Sequence, residues 1–171
     1  MFWDRVMGVF RLNPMVFEEI EHDENATSQA AIVVLIVALV SGAGSALSAA
    51  LTGAGSFQGF ISALAWSFIG WLIWSAVSYF VGTSLFGGKA TFGEMLRVIG
   101  FAYAPQVLAI IPCVGFLIGL VWSLIAGFIA VRQGLDVDDV RAFLTVLIGM
   151  AVYAIGYVII SVLIGLTAAL F

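Results

Sequence analysis

The sequence predicts an all-α, polytopic membrane protein, from its apolar content, its charge-free stretches and the gathering of its charges between those stretches. Of 171 residues, 63% are hydrophobic and 9% charged, a balance that suits a bilayer as solvent rather than water. Residues 30–51, 60–86, 98–111 and 143–171 contain no Asp, Glu, Lys or Arg. A helix of about 20 residues, rising about 1.5 Å each, crosses a hydrocarbon core of roughly 30 Å. The reading is a cytoplasmic amphipathic segment, 1–29, followed by a five-helix transmembrane domain, 30–171, with spans at about 30–51, 60–86, 92–111, 114–131 and 143–169.

In residues 1–12, Phe2, Val6 and Phe10 recur at helical spacing beside Trp3 and Met7, with Asp4, Arg5 and Arg11 elsewhere. Such a helix lies in the headgroup layer, or else packs on the bundle. Asn13-Pro14 breaks it: Asn caps, and Pro suits the first turn of a second helix. That helix carries Val16, Phe17 and Ile20 on one face, with Glu18, Glu19 and Glu21 expected to face water. The first span follows an acidic region instead of the short basic start of a secretory signal, so it is read as a retained helix.

A Gly/Ser loop, 52–59, leads to the second span with Trp66, Trp71, Trp74 and Tyr79, some of them expected at the membrane interfaces. Gly87-Gly88 ends it, and Thr91-x-x-Glu94 is a capping box for the third. Pro105 removes a donor and kinks that span, while 112–115 leaves room only for a tight hairpin, making spans three and four antiparallel neighbours. The charged stretch 132–141 separates spans four and five.

Five crossings place Arg5, Arg11, Lys89, Arg97, Arg132 and Arg141 on one side and no Lys or Arg on the other. The positive-inside rule then sets the N-terminus in the cytoplasm and the C-terminus outside.

Chemistry is sparse. A net charge of −4 without a basic stripe argues against nucleic acid. Lone Cys113 and lone His22 make neither a disulfide nor a Cys/His metal site, so no cofactor is expected. Asp136, Asp138 and Asp139 lack the glycine and distal Glu of a calcium loop and read as helix caps. Glu94 and Arg97 read as a local surface pair. The spans hold no ionisable carboxylate or base of the kind that pumps and proton relays use. They hold one carboxamide, Gln106, and the hydroxyls of Tyr79, Tyr103, Tyr153 and several serines.

Gly100, Tyr103, Pro105 and Gln106 therefore form the first candidate feature, either a structural kink or a polar notch open to a substrate or headgroup. The second is a stripe of small residues at every fourth position of span four: Gly115, Gly119, Ser123 and Gly127. Similar stripes run through Ala38, Gly42, Ala46 and Ala50, and through Ser161, Gly165 and Ala169. They allow close helix approach, within the bundle or with another membrane protein.

Several stretches then carry a family resemblance: residues 12–20 (LNPMVFEEI), residues 87–92 (GGKATF) and residues 97–105 (RVIGFAYAP). The last is similar to the glycine, tyrosine and proline pattern in the third helix of the Yip family (Ypt-interacting protein family), and the chain resembles a compact prokaryotic-type member. The resemblance implies a cytosolic N-terminal region, five transmembrane helices and residence in a prokaryotic cell membrane. Rab-type GTPase binding, known for the eukaryotic relatives, is not carried over. The tail here is short and lacks their acidic-tyrosine-glycine-proline motif.

The expected function is a non-enzymatic scaffold or adaptor that assembles with itself or another membrane protein in the lipid bilayer and organises membrane. The alternative is a facilitative channel, transporter or lipid scramblase with a path near Pro105 and Gln106. A third reading is a headgroup-plane enzyme using Asp138 and Asp139.

Overall fold

The computed structural model describes residues 1–52, 57–111 and 114–170. Its elements, in order, are α1 (Phe2–Phe10), α2 (Pro14–His22), α3 (Ala26–Thr52), α4 (Phe57–Phe86), α5 (Phe92–Ala102), a 3-10 helix (Ala104–Ile110), α6 (Gly115–Gly134) and α7 (Asp139–Leu170). The fold is all-α. Four helices, α3, α4, α6 and α7, are long and apolar enough to cross a membrane among the described residues.

The local signals act where their chemistry predicts. Asn13 caps α2 by accepting from the Met15 amide, with Pro14 in the first turn. Thr91 and Glu94 close a reciprocal capping box on α5, which satisfies amides that a helix start leaves without partners. Gly87 takes φ +68° after α4, a conformation open to a residue without Cβ. Asp138 accepts from the Arg141 amide at the start of α7.

The third segment departs from expectation. It is not one kinked helix over 92–111 but an 11-residue α-helix followed by a seven-residue 3-10 helix. Pro105 has no amide to continue the α-helical ladder, and the chain tightens to i→i+3 bonds: the Tyr103 amide donates to Gly100, Gln106 to Tyr103 and Ile111 to Leu108. The other long helices run past the limits expected for their spans. α3 begins at Ala26, α6 continues through Arg132 to Gly134, and α7 begins at Asp139. Charged residues thus sit on the ends of α6 and α7, in Arg132, Asp139 and Arg141.

α3 packs on α4, α5 and the 3-10 helix; α6 packs on α5, α7 and the 3-10 helix; α4 packs on α5 and α7. Both short N-terminal helices dock on this bundle, α2 chiefly on α5 and α6. Phe17 and Ile20 of α2 and Val9 of α1 are fully buried beside Val98, Phe101, Val131 and Leu135. The other side of the pair leaves Trp3, Met7 and Met15 exposed.

Two arginines fix the docking. Arg5 is buried; it pairs with Glu19 at 2.9 Å and Asp23 at 2.7 Å, and donates to Gln29 on α3. The hydrogen bond from Arg5 holds the Asp23 carboxyl below its usual range, helped by the Asn25 amide. Arg97 is buried too, correcting the surface-pair reading. Its Nε and Nη2 donate to the main-chain carbonyl of Glu21, and Glu94 stands 4.0 Å away. Glu21 likewise does not face water: it is 4% exposed, with Oε2 unpartnered. Burial, then the negative charges of Glu18 and Asp136, raise its carboxyl from 4.5 to about 7.

Candidate functional site

The helix break builds a cavity. Where α5 gives way to the 3-10 helix, the backbone turns at Tyr103, and facing helices border a partly open space of about 410 Å³. α4 contributes Trp74, α6 contributes Ser123 and Gly127, and α7 contributes Val146, Met150 and Tyr153; Tyr103 and Gln106 complete the polar side. No lining residue among those described is charged. The lining is mainly hydrocarbon with a few hydrogen-bonding groups, which is the usual make-up of a small-molecule site.

The polar groups differ in how far they are satisfied. The Trp66 indole donates to the Tyr153 hydroxyl at 3.0 Å. A Cβ on Gly70 would lie 3.6 Å from the Tyr103 hydroxyl and 4.0 Å from that of Tyr153, so both phenols reach toward this point of α4. Ser123 Oγ is buried without a partner. Serines and threonines in helices commonly bond back to the carbonyl four residues earlier. Thr83 does so onto Tyr79 and Thr145 onto Arg141.

The two features read from the sequence meet here in part. Tyr103 and Gln106 line the cavity, whereas Gly100 and Pro105 do not. A Cβ on Gly100 would stand 2.7 Å from Ala30 Cβ and 2.9 Å from Trp71 Nε1, so this glycine admits the indole that donates to the Leu96 carbonyl. Trp71 is accordingly a core residue, 6% exposed, not an interfacial one.

The stripe on α6 divides into two uses. Gly115 and Gly119 pass close to the 3-10 helix; their Cβ atoms would lie 2.0 Å from the Leu108 carbonyl oxygen and 3.0 Å from that of Pro105. Ser123 and Gly127 instead border the cavity, and a Cβ on Gly127 would meet nothing within 4 Å. Ala38 and Gly42 are buried in α3. The side chains of Ala46, Ala50, Ser161, Gly165 and Ala169, like Pro112 and Cys113, lie outside the described residues.

Of the α7 wall, the sequence singled out the Tyr153 hydroxyl but not Val146 or Met150. Val146, Met150 and Tyr153 follow one another at four and three residues, one helical face, but α7 is apolar all round and that face has no contrast with the others. Asp136, Asp138 and Asp139 converge on no metal site: no group of three or more His, Cys, Asp or Glu suited to a metal occurs among the described residues. Arg132 pairs with Asp139 and Arg141 with Asp138.

No curated protein and no solved structure matches the chain. A family profile, described as the Yip1 domain, matches residues 7–163. That match runs from the last turn of α1 into α7 and takes in α2 and the cavity. On this coverage the chain belongs to the Yip1-domain family of membrane proteins.

Proposed function

We propose that this protein is a non-enzymatic membrane scaffold or adaptor of Yip type, associating with itself or with another membrane protein and organising the membrane around it. The observation that carries the reading is the α1–α2 platform, locked to the bundle by Arg5 and Arg97, with Trp3, Met7 and Met15 turned outward.

The depth of α1 supports contact with lipid. Phe2 lies 6.3 Å, ring to ring, from Phe101, about 14 Å along α5 from its start. At the other end the Phe10 carbonyl accepts from the Trp122 indole at 3.0 Å, about 18 Å along α6 from its end. Both ends of α1 thus sit at similar depths, and the helix runs across the flank of the bundle. The charged ends of α5 and α6 are thus roughly 14–18 Å away along these helices, so the outward Trp3 and Met7 of α1 lie beside the apolar parts of the spans.

The topology that goes with this reading has five crossings in a prokaryotic cell membrane, N-terminus inside. End to end, α5 and the 3-10 helix would extend about 30 Å, from roughly 1.5 and 2.0 Å per residue, enough for the third crossing. The test is reconstitution. The wild-type protein should recruit a stoichiometric partner or self-associate in lipid discs, and should change the shape of liposomes. A monomer with neither property overturns the reading.

A second reading, a facilitative channel, transporter or scramblase passing Gln106, draws support from the cavity. Uncoupled passage does not need buried charge. Solute or lipid flux in proteoliposomes that is lost in Gln106→Leu would favour it; flux unchanged by that substitution would remove the path.

A further inference from the structure

We infer that the cavity between α4, the α5 break, α6 and α7 is a binding site for an uncharged lipid with a small hydrogen-bonding head, of the diacylglycerol class. Binding here requires no passage through the protein and is independent of the scaffold reading.

The argument starts from Ser123. Its hydroxyl is buried, on a cavity wall, and has no partner in the protein. Leaving such a group unsatisfied is unfavourable, and Ser123 on α6 does not make the bond to the carbonyl four residues earlier that Thr145 makes in α7. Gln106 and Tyr103 share the lining, and Tyr153, which accepts from Trp66, retains its own O–H as a donor. A head with both hydroxyl and ester carbonyl groups answers this mixture of donors and acceptors.

The charge of the ligand follows from what is missing around the wall. None of the described lining residues is Lys, Arg, Asp or Glu, and a charged head among apolar helices is strongly unfavourable without a counter-charge. A phospholipid headgroup is therefore disfavoured. The apolar remainder, with Met150, Val146 and Trp74, accommodates hydrocarbon. Gly127 keeps it open, since its missing side chain would touch nothing.

The test uses the whole chain in phosphatidylcholine liposomes containing a trace of diacylglycerol with a diazirine on one acyl chain. After irradiation, labelled residues are mapped by peptide mass spectrometry. Labelling concentrated on residues 120–127 and 146–154, displaced by plain diacylglycerol and not by phosphatidylglycerol, is the expected result. Gly127→Leu should abolish it by filling the space, Gly127→Ala should reduce it, and Ser123→Ala should weaken it about fivefold, one hydrogen bond. Label spread evenly over the lipid-facing helices, or equal displacement by phosphatidylglycerol, overturns the assignment in the wild-type protein alone. So does unchanged labelling in a folded Gly127→Leu chain.

Discussion

Arg97 on α5 donates through two nitrogens to the main-chain carbonyl of Glu21, 76 positions earlier, at the end of α2. A helix C-terminus leaves carbonyls without intrahelical partners, and here a buried guanidinium supplies one. The N-terminal pair is thereby tied to the third segment of the bundle.

Removing that tie should release the platform. Arg97→Ala is expected to destabilise docking by about 2–4 kcal/mol, because a charge-assisted bond is lost and a buried carbonyl is left bare. Arg97→Lys should recover only part, lacking the planar fork. Limited proteolysis between residues 10 and 30 reads the outcome: cleavage no faster than wild type would show that Arg97 does not hold α2.

The buried carboxyl of Glu21 makes docking pH-dependent. Its raised value, about 7 against 4.5, means that the folded protein keeps this proton where the undocked segment loses it. The contribution is therefore full below pH 4.5 and is lost as pH rises through 7. His22 opposes the rise, while Glu18, Asp136 and Glu94 add to it. Glu21→Gln should flatten this part of the profile and stabilise the protein at pH 8 by about 1–3 kcal/mol. Identical pH profiles for variant and wild type would contradict the assignment.

Two glycines of one stripe should behave differently. Gly119→Val places its side chain against the backbone of Pro105 and Gln106, and overpacking of this kind costs about 1–3 kcal/mol. Gly127→Ala meets open space and should stay within about 0.5 kcal/mol. Thermal unfolding in detergent compares them, and equal losses would show that the stripe is uniformly packed.

Topology has a direct readout in a Cys113→Ser chain. Lys89→Cys should react with a membrane-impermeant maleimide only after the inner face is opened, and Val114→Cys should react from outside. Both reacting from the same side would mean that residues 92–110 do not cross.

Helix class, the break at Asn13-Pro14, the Thr91 cap and the disturbance at Pro105 were legible because each is decided within a few residues. Proline lacks a donor wherever it sits, and a threonine three residues before a glutamate can cap locally. Apolar content and charge placement likewise named the solvent. The fate of Arg97 and Glu21 was not legible, since i and i+3 spacing offered Arg97 a local partner while the structure gives it a carbonyl 76 residues away.

Nor could the sequence divide the α6 stripe. Gly115, Gly119, Ser123 and Gly127 repeat identically along one face, and only the position of the 3-10 helix makes the first two contacts and the last two cavity wall. The sequence by itself determined which segments are helical, the caps at Asn13 and Thr91, and that the chain is a membrane protein. Tertiary structure alone decided which polar groups are buried, which are paired and where space remains. The physical reason is that hydrogen bonding and capping act over one helical turn, whereas burial depends on which distant segment arrives against each face.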